Sequence, residues 1–325
     1  MFILFKEVKA AYERIQYYIN KTPVMTSRTL NNKIGGKIFL KCENFQRAGA
    51  FKARGAFNAL SQLDSEKMRI GVIAHSSGNH AQAVALASRE LGIKATIVMP
   101  RNAPHVKKEA TKGYGATIVD CGNNPKDRQE KTEELIERYG YTLIHPYNYL
   151  PTIYEAGTAA LELISEMTHA DVVIAPIGGG GLISGTSIST KGLCPHADVI
   201  GVEPKNADDA YRSFTDGKIY PSINPNTIAD GLRTSLGDIT FSIIQKSVSE
   251  IVTVSENEIL DSMRYIWERL KIIVEPSGAV PLAGLFKISM DKNHDLKGKR
   301  IGLILSGGNI DLSTFFTTLK KQTET

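Results

Sequence analysis

Continuously apolar, β-branched runs alternate with segments of helical period along most of the chain: IGVIAHSS, KATIVMP, GATIVDCG, YTLIHP, DVVIAPIGGGG, ADVIGVEP and RIGLILSGGN. A strand that is apolar on both faces needs cover on both, and helices between successive strands supply it. The pattern therefore predicts an α/β protein built on parallel sheets. Four of the runs, between Ile70 and Pro146, can close as a smaller sheet, leaving the flanking segments to share a second. This divides the chain into a small domain over 47–147 and a larger, discontinuous one over 1–46 and 148–325. Near the start, Val8, Ala11, Tyr12, Ile15 and Ile19 fall on one face of a first helix.

A length of 325 residues suits two lobes. Hydrophobic residues make up 42% and charged ones 22%, with no apolar run long enough to span a membrane. The apolar run at the start is short and passes into charged helical sequence without a small-residue cleavage site, so it reads as a mature N-terminus. Cys42, Cys121 and Cys194 are far apart and form no C-x-x-C pair, which suits a reducing cytoplasm. Net charge is only +5, and the densest basic cluster, Lys107, Lys108 and Lys112, has no interleaved aromatics. Small anionic ligands are expected, with neither nucleic acid nor membrane as a partner.

Ligands of open α/β sheets bind where strand ends turn into helices, and three such ends carry unusual chemistry. HSSGNHAQAVALA places Ser76, Ser77, Asn79 and His80 before a helix whose apolar face runs through Ala83, Val84 and Ala87. Hydroxyls, an amide and helix-terminal N–H groups there suit a carboxylate; capping explains one such residue, not a run of them. In APIGGGGLISG, Gly178 to Gly181 remove every Cβ from the turn, so backbone amides can approach a phosphate closely. The dinucleotide fingerprint fails, because Ile183 or Ser184 stands where its third glycine belongs, and no Lys-Ser/Thr pair completes a nucleotide P-loop. In IGLILSGGNID, Ser306 can donate a hydrogen bond to a ring nitrogen but is too weak an acid to protonate it. FQRAGAFKARGA adds an amine, Lys52, among small residues that suit a close-fitting pocket. A phosphate cradle, an amine and a ring-nitrogen partner are the parts that hold pyridoxal phosphate as a Schiff base.

The strings FQRAGAFKARGA, SSGNHAQA, GGGGL, GVEPKNADDA, TIADGL and LSGGNID occur in that order between about Thr22 and Asp311. Together they resemble the threonine dehydratase and serine racemase group of fold-type II pyridoxal phosphate enzymes. The resemblance implies two open, twisted, mostly parallel sheets with helices on both faces. It implies that Lys52 bonds the cofactor, Asn79 contacts its phenolic oxygen, Gly178, Gly179, Gly180, Gly181 and Leu182 hold its phosphate, and Ser306 faces its pyridine nitrogen. Ser76, Asn79 and His80 then line the substrate-carboxylate site. Lys52 takes the Cα proton, and a β-hydroxy amino acid such as L-serine or L-threonine loses its hydroxyl to give a 2-oxo acid and ammonia. A serine at the ring nitrogen leaves the ring neutral and favours elimination over transamination. Ser77 matches the second base of racemases, which permits racemisation without establishing it. Racemisation of serine or aspartate, dehydration of threo-3-hydroxyaspartate and β-replacement are the alternatives.

The same resemblance implies a structural Mg²⁺ or Ca²⁺ held by Glu203, the Ala207 carbonyl and Asp209, an oxygen set such cations favour. It also implies a homodimer, Arg128 near the active-site entrance, and His145 and Asn148 beside the site. No C-terminal regulatory domain is expected in the few residues after Asp311. The chain departs from the group at Ala48 and Ala50, where Thr and Ser are usual, and at Glu155, where glycine is customary.

Overall fold

A computed structural model describes residues 2–76, 78–103, 105–313 and 315–317. Ser77, the expected second base, lies outside the described residues. Among the described residues there are ten strands: β1 (Val24–Met25), β2 (Lys37–Cys42), β3 (Val72–His75), β4 (Ala95–Pro100), β5 (Thr117–Cys121), β6 (Thr142–Leu143), β7 (Val172–Pro176), β8 (Asp198–Pro204), β9 (Glu250–Val254) and β10 (Arg300–Leu305). They form a six-stranded sheet in the order β1-β2-β10-β7-β8-β9 and a four-stranded sheet in the order β5-β4-β3-β6. Every pair is parallel except β1 with β2.

Alternation along β7 accounts for the layers. Val172 and Ile174 enter one core with Val280, Leu282 and Leu285 of the Pro276–Met290 helix. Val173 and Ala175 enter another with Leu163 and Met167 of the Leu150–Met167 helix. Burial of alternate side chains in opposite directions is what a sheet covered on both faces requires. The small sheet repeats this, with Val72, Ala74 and Ile97 packing on Phe57 and Leu60, while Ile73 and Val98 meet Leu135.

β1, β2 and β9 are absent from the runs that the apolar pattern picks out. β2, KIFLKC, carries two lysines; Lys41 is nonetheless fully buried, its Nζ 2.5 Å from Glu162 Oε2 and donating to the Thr22 carbonyl at 2.6 Å. The first helix, Phe2–Ile15, stops before Ile19, which is buried from the turn that follows. Among the described residues no helix is long and apolar enough to cross a membrane.

Candidate active site

Residues that follow the ends of β3, β4, β5, β6, β7 and β10 line one cavity of about 710 Å³. Lys52, Ser76, Asn79, His80, Gly178, Gly179, Gly180, Gly181, Leu182 and Ser306 are all on its wall, and so are Arg128 and His145. Segments separated by more than two hundred positions thus converge where open α/β sheets bind ligands.

Lys52 opens the Lys52–Leu60 helix, and its Nζ donates to the Pro146 carbonyl at 2.6 Å. Burial lowers the amine to about 8, while the charge of Glu155 acts in the opposite direction. The loop before it is sewn to the β10 loop: Phe51 N–H donates to Ser306 O at 3.0 Å, Gly308 N–H donates to Gly49 O at 2.9 Å, and Ala50 bridges Gly307. Asn309 Nδ2 donates both to the Ala48 carbonyl at 2.7 Å and to Asn79 Oδ1 at 2.9 Å, and Asn79 Nδ2 donates to Glu275 Oε1 at 2.7 Å. Asn79 is therefore held on both sides of its amide.

The glycine turn is shaped by its neighbours. Gly180 has φ +87°, and a Cβ on Gly179 would come within 2.5 Å of the Tyr147 ring. Thr240 Oγ1 donates to the Gly179 carbonyl at 2.9 Å and fixes the turn just before the Gly181–Leu193 helix. First-turn N–H groups of such a helix lack intrahelical acceptors and favour an anion.

The three histidines seen to line the cavity, His75, His80 and His145, are all held below the usual imidazole range by burial. His80 bonds the Ile144 carbonyl through Nε2 at 2.8 Å, which makes Nε2 the protonated nitrogen, and burial beside Lys52 lowers it to about 3. His145 Nδ1 accepts from the Asn148 and Tyr147 N–H groups, so that ring is the neutral Nε2–H form, with burial lowering it to about 4. Asn148 sits one step away, its Nδ2 donating to Asp238 Oδ1 at 2.7 Å.

A family model described as "Pyridoxal-phosphate dependent enzyme" matches residues 15–307. The chain belongs to the pyridoxal-phosphate dependent enzymes. A serine racemase of Dictyostelium discoideum is 46% identical over 314 residues, 96% of each chain. An L-threo-3-hydroxyaspartate ammonia-lyase of Saccharomyces cerevisiae is 46% identical over 314 residues, 96% of this chain and 95% of that one. A solved structure of maize serine racemase superimposes with a TM-score of 0.93 at 43% identity, covering 98% of each chain. As a pyridoxal-phosphate dependent enzyme, the chain is a lyase, a racemase or both.

Glu275, Asp230, Arg233 and Tyr147 also line the cavity in this family member, without a local pattern that marks them in the sequence. Glu275 precedes Pro276 at a helix start, where a carboxylate reads as an ordinary N-terminal residue. The Asp230 segment was visible only as the string TIADGL.

Away from the cavity, Glu203 accepts from the Ala210 and Tyr211 N–H groups at 3.0 and 2.9 Å. Asp209 is 0% exposed, yet neither of its carboxyl oxygens has a hydrogen-bond partner among the described residues. Burial raises Asp209 to about 6, and burial together with the like charge of Asp209 raises Glu203 well above the usual carboxylate range. Orphaned buried carboxyl oxygens of this kind fit a cation. No three His, Cys, Asp or Glu side chains gather to hold a metal among the described residues, and Ala207, between the two carboxylates in sequence, is buried.

Proposed function

We propose that the protein dehydrates a β-hydroxy amino acid of the L-serine or L-threonine type to a 2-oxo acid and ammonia, with serine racemisation as a minor outcome of the same site. The observation that supports this best is that an amine, a glycine-lined helix start and a neutral hydroxyl donor open onto one cavity. The turn at Gly179 and Gly180, where a Cβ would collide, fits a bound phosphate. When bound, pyridoxal phosphate supplies a carbonyl for the substrate amine and a conjugated ring that draws charge from Cα.

In this reading the backbone of Gly178 to Leu182 holds the phosphate and Lys52 carries the group. Asn79, fixed by Glu275 and Asn309, faces the phenolic oxygen. Ser76, Asn79, His80 and the amides opening the Asn79–Leu91 helix orient the substrate carboxylate. Ser306 donates to the ring nitrogen and leaves it uncharged, which favours loss of the β-hydroxyl over transamination. Lys52 then takes the Cα proton as its free amine. With the amine at about 8, about a quarter of it is free at pH 7.5, against about a thousandth for an ordinary lysine. Three cysteines that form no disulfide support a cytoplasmic setting, and the reading includes a homodimer.

The test is a panel of serine, threonine and threo-3-hydroxyaspartate in both hands, scored for oxo acid and for inversion. Oxo acid from L-serine or L-threonine is expected; none from any member of the panel overturns the proposal. A second reading, a substrate with a side-chain carboxylate, is favoured by Arg128 and Arg233, both of which line the cavity. On that reading Arg128→Ala lowers turnover of threo-3-hydroxyaspartate by about 100-fold, the worth of one charge-assisted contact, and spares serine. Equal losses on both substrates reject it.

We also infer a Mg²⁺ or Ca²⁺ ion at Glu203, the Ala207 carbonyl and Asp209, in a structural role. Without a cation both carboxyls are raised above their unfolded values, so their favourable contribution is present at acid pH and is lost as pH rises through the folded values, about 6 for Asp209. Chelation is therefore expected to lower the melting temperature by about 5 °C at pH 7.5, where ion at about 100 times its Kd contributes about 2.7 kcal/mol, and by much less at pH 5. A chelator effect that does not grow with pH counts against the site.

A further inference from the structure

Glu155 lies on the Leu150–Met167 helix, is 2% exposed and does not line the cavity. Its carboxyl reaches the Lys52–Leu60 helix over Gly55: a Cβ there would sit 2.5 Å from Glu155 Oε1, so only glycine admits it. Gly55 is three residues after Lys52, which puts the carboxyl on the face of the helix that carries the amine. Glu155 Oε2 has no hydrogen-bond partner among the described residues.

The surrounding charges leave Glu155 one counter-group. Arg54 is the other cation of the lysine helix near it, and all its N–H groups are taken: Nε and Nη2 donate to Glu43, Nη1 and Nη2 to Glu162, and Nη1 also to Thr158 Oγ1. Lys41 is likewise committed to Glu162 and the Thr22 carbonyl. Lys41 and Arg54 balance Glu43 and Glu162, so the buried cluster is neutral without Glu155. From the first helix, Arg14 spends its Nε on Asn58. The Gly181–Leu193 helix, packed on the other side, carries no charged residue before Lys191. His80, from the Asn79–Leu91 helix, acts on Lys52 and is neutral. Lys52 and Glu155 make no direct ion pair, but each is the other's remaining opposite charge in a region where a net charge is costly.

We propose that Glu155, held against the lysine helix at Gly55, is the buried counter-group of Lys52, a positioning residue that acts on the amine through charge rather than contact, so that the two together hold one proton at equilibrium. With one proton between them the pair is neutral whether it stands as ammonium and carboxylate or as amine and carboxylic acid. The second form leaves Lys52 a free base without exporting a proton to solvent. Burial raises Glu155 well above the usual carboxylate range, with Lys52 opposing, in keeping with the pair.

The inference rests on reading Lys52 as the cofactor amine, and the two fail separately. Borohydride reduction of the holoenzyme that leaves no pyridoxyl group on Lys52 overturns that reading. The pairing is tested on the full-length chain freed of cofactor, by following acetylation of Lys52 with acetic anhydride against pH and reading the peptide by mass. Glu155→Gln and Glu155→Met are both expected to move the midpoint down by about one pH unit, since an opposite charge no longer favours the ammonium form. Glu155→Asp is expected to restore most of the shift. A midpoint unchanged in whichever of the Gln and Met variants folds overturns the proposal, as does a midpoint that moves no differently in Asp. A purely structural Glu155 would lower the melting temperature and leave the midpoint in place.

Discussion

Lys52→Ala is expected to abolish the visible absorbance of bound pyridoxal phosphate and to lower turnover by at least about 10³-fold, the usual worth of a positioned proton acceptor. Among the described residues Lys52 is the one lysine that lines the cavity, so none of these offers a neighbouring amine to stand in for it. The loss should be chemical rather than structural. Its Nζ makes one hydrogen bond, to the Pro146 carbonyl, and the loop that places it is held by main-chain contacts to Ser306, Gly307 and Gly308. Glu155, deprived of its counter-group, takes up a proton and stays neutral. An unchanged melting temperature with no visible band and no oxo acid is the expected combination. A variant that keeps the band would move the cofactor bond elsewhere.

Arg54→Met should do the reverse, costing stability first. Arg54 is fully buried and satisfies two buried carboxylates and Thr158 with its whole guanidinium. Methionine leaves Glu43 and Glu162 with only Lys41 between them. Removing one partner of a buried ion pair costs about 3–5 kcal/mol. The pH dependence should also change sign. In the parent, Glu43 is held below the usual carboxylate range even though burial, the largest single influence, would raise it, because the charge and hydrogen bonds of Arg54, with those of Thr22 and Lys41, together outweigh that burial. Its contribution is therefore present above the unfolded value and is lost as pH falls. Without Arg54, burial dominates and the folded value rises, so the deficit should be largest at neutral pH and shrink toward pH 4. Urea titrations of both chains across that range check the prediction; a deficit that is constant with pH would remove the electrostatic explanation.

How far the molecule was legible depended on whether a feature is local. The glycine turn, the SSGNH loop and Ser306 announce themselves within a few residues, because close backbone approach and strand-end hydroxyls need only neighbours. The double-sided burial of β7 is equally visible, as an unbroken apolar run. Lys41 is the counterexample: its charge breaks the apolar signature of β2, and the partner that makes its burial tolerable, Glu162, is on another helix. Asn309 and Glu275 escaped for the same reason, since holding Asn79 in place takes residues some two hundred positions away. Glu155 was legible as an oddity, but its relation to Lys52 required knowing that every N–H of Arg54 was already engaged.

The seam between the lysine loop and the β10 loop is made by main-chain atoms of Gly49, Ala50, Phe51, Ser306, Gly307 and Gly308, with one side chain, the Asn309 amide, added on the Ala48 carbonyl. The separation between the amine and the hydroxyl that would face the ring is consequently a matter of backbone register, indifferent to the hydroxyls that Ala48 and Ala50 lack. Neither alanine lines the cavity, so a hydroxyl at either position would leave that spacing in place.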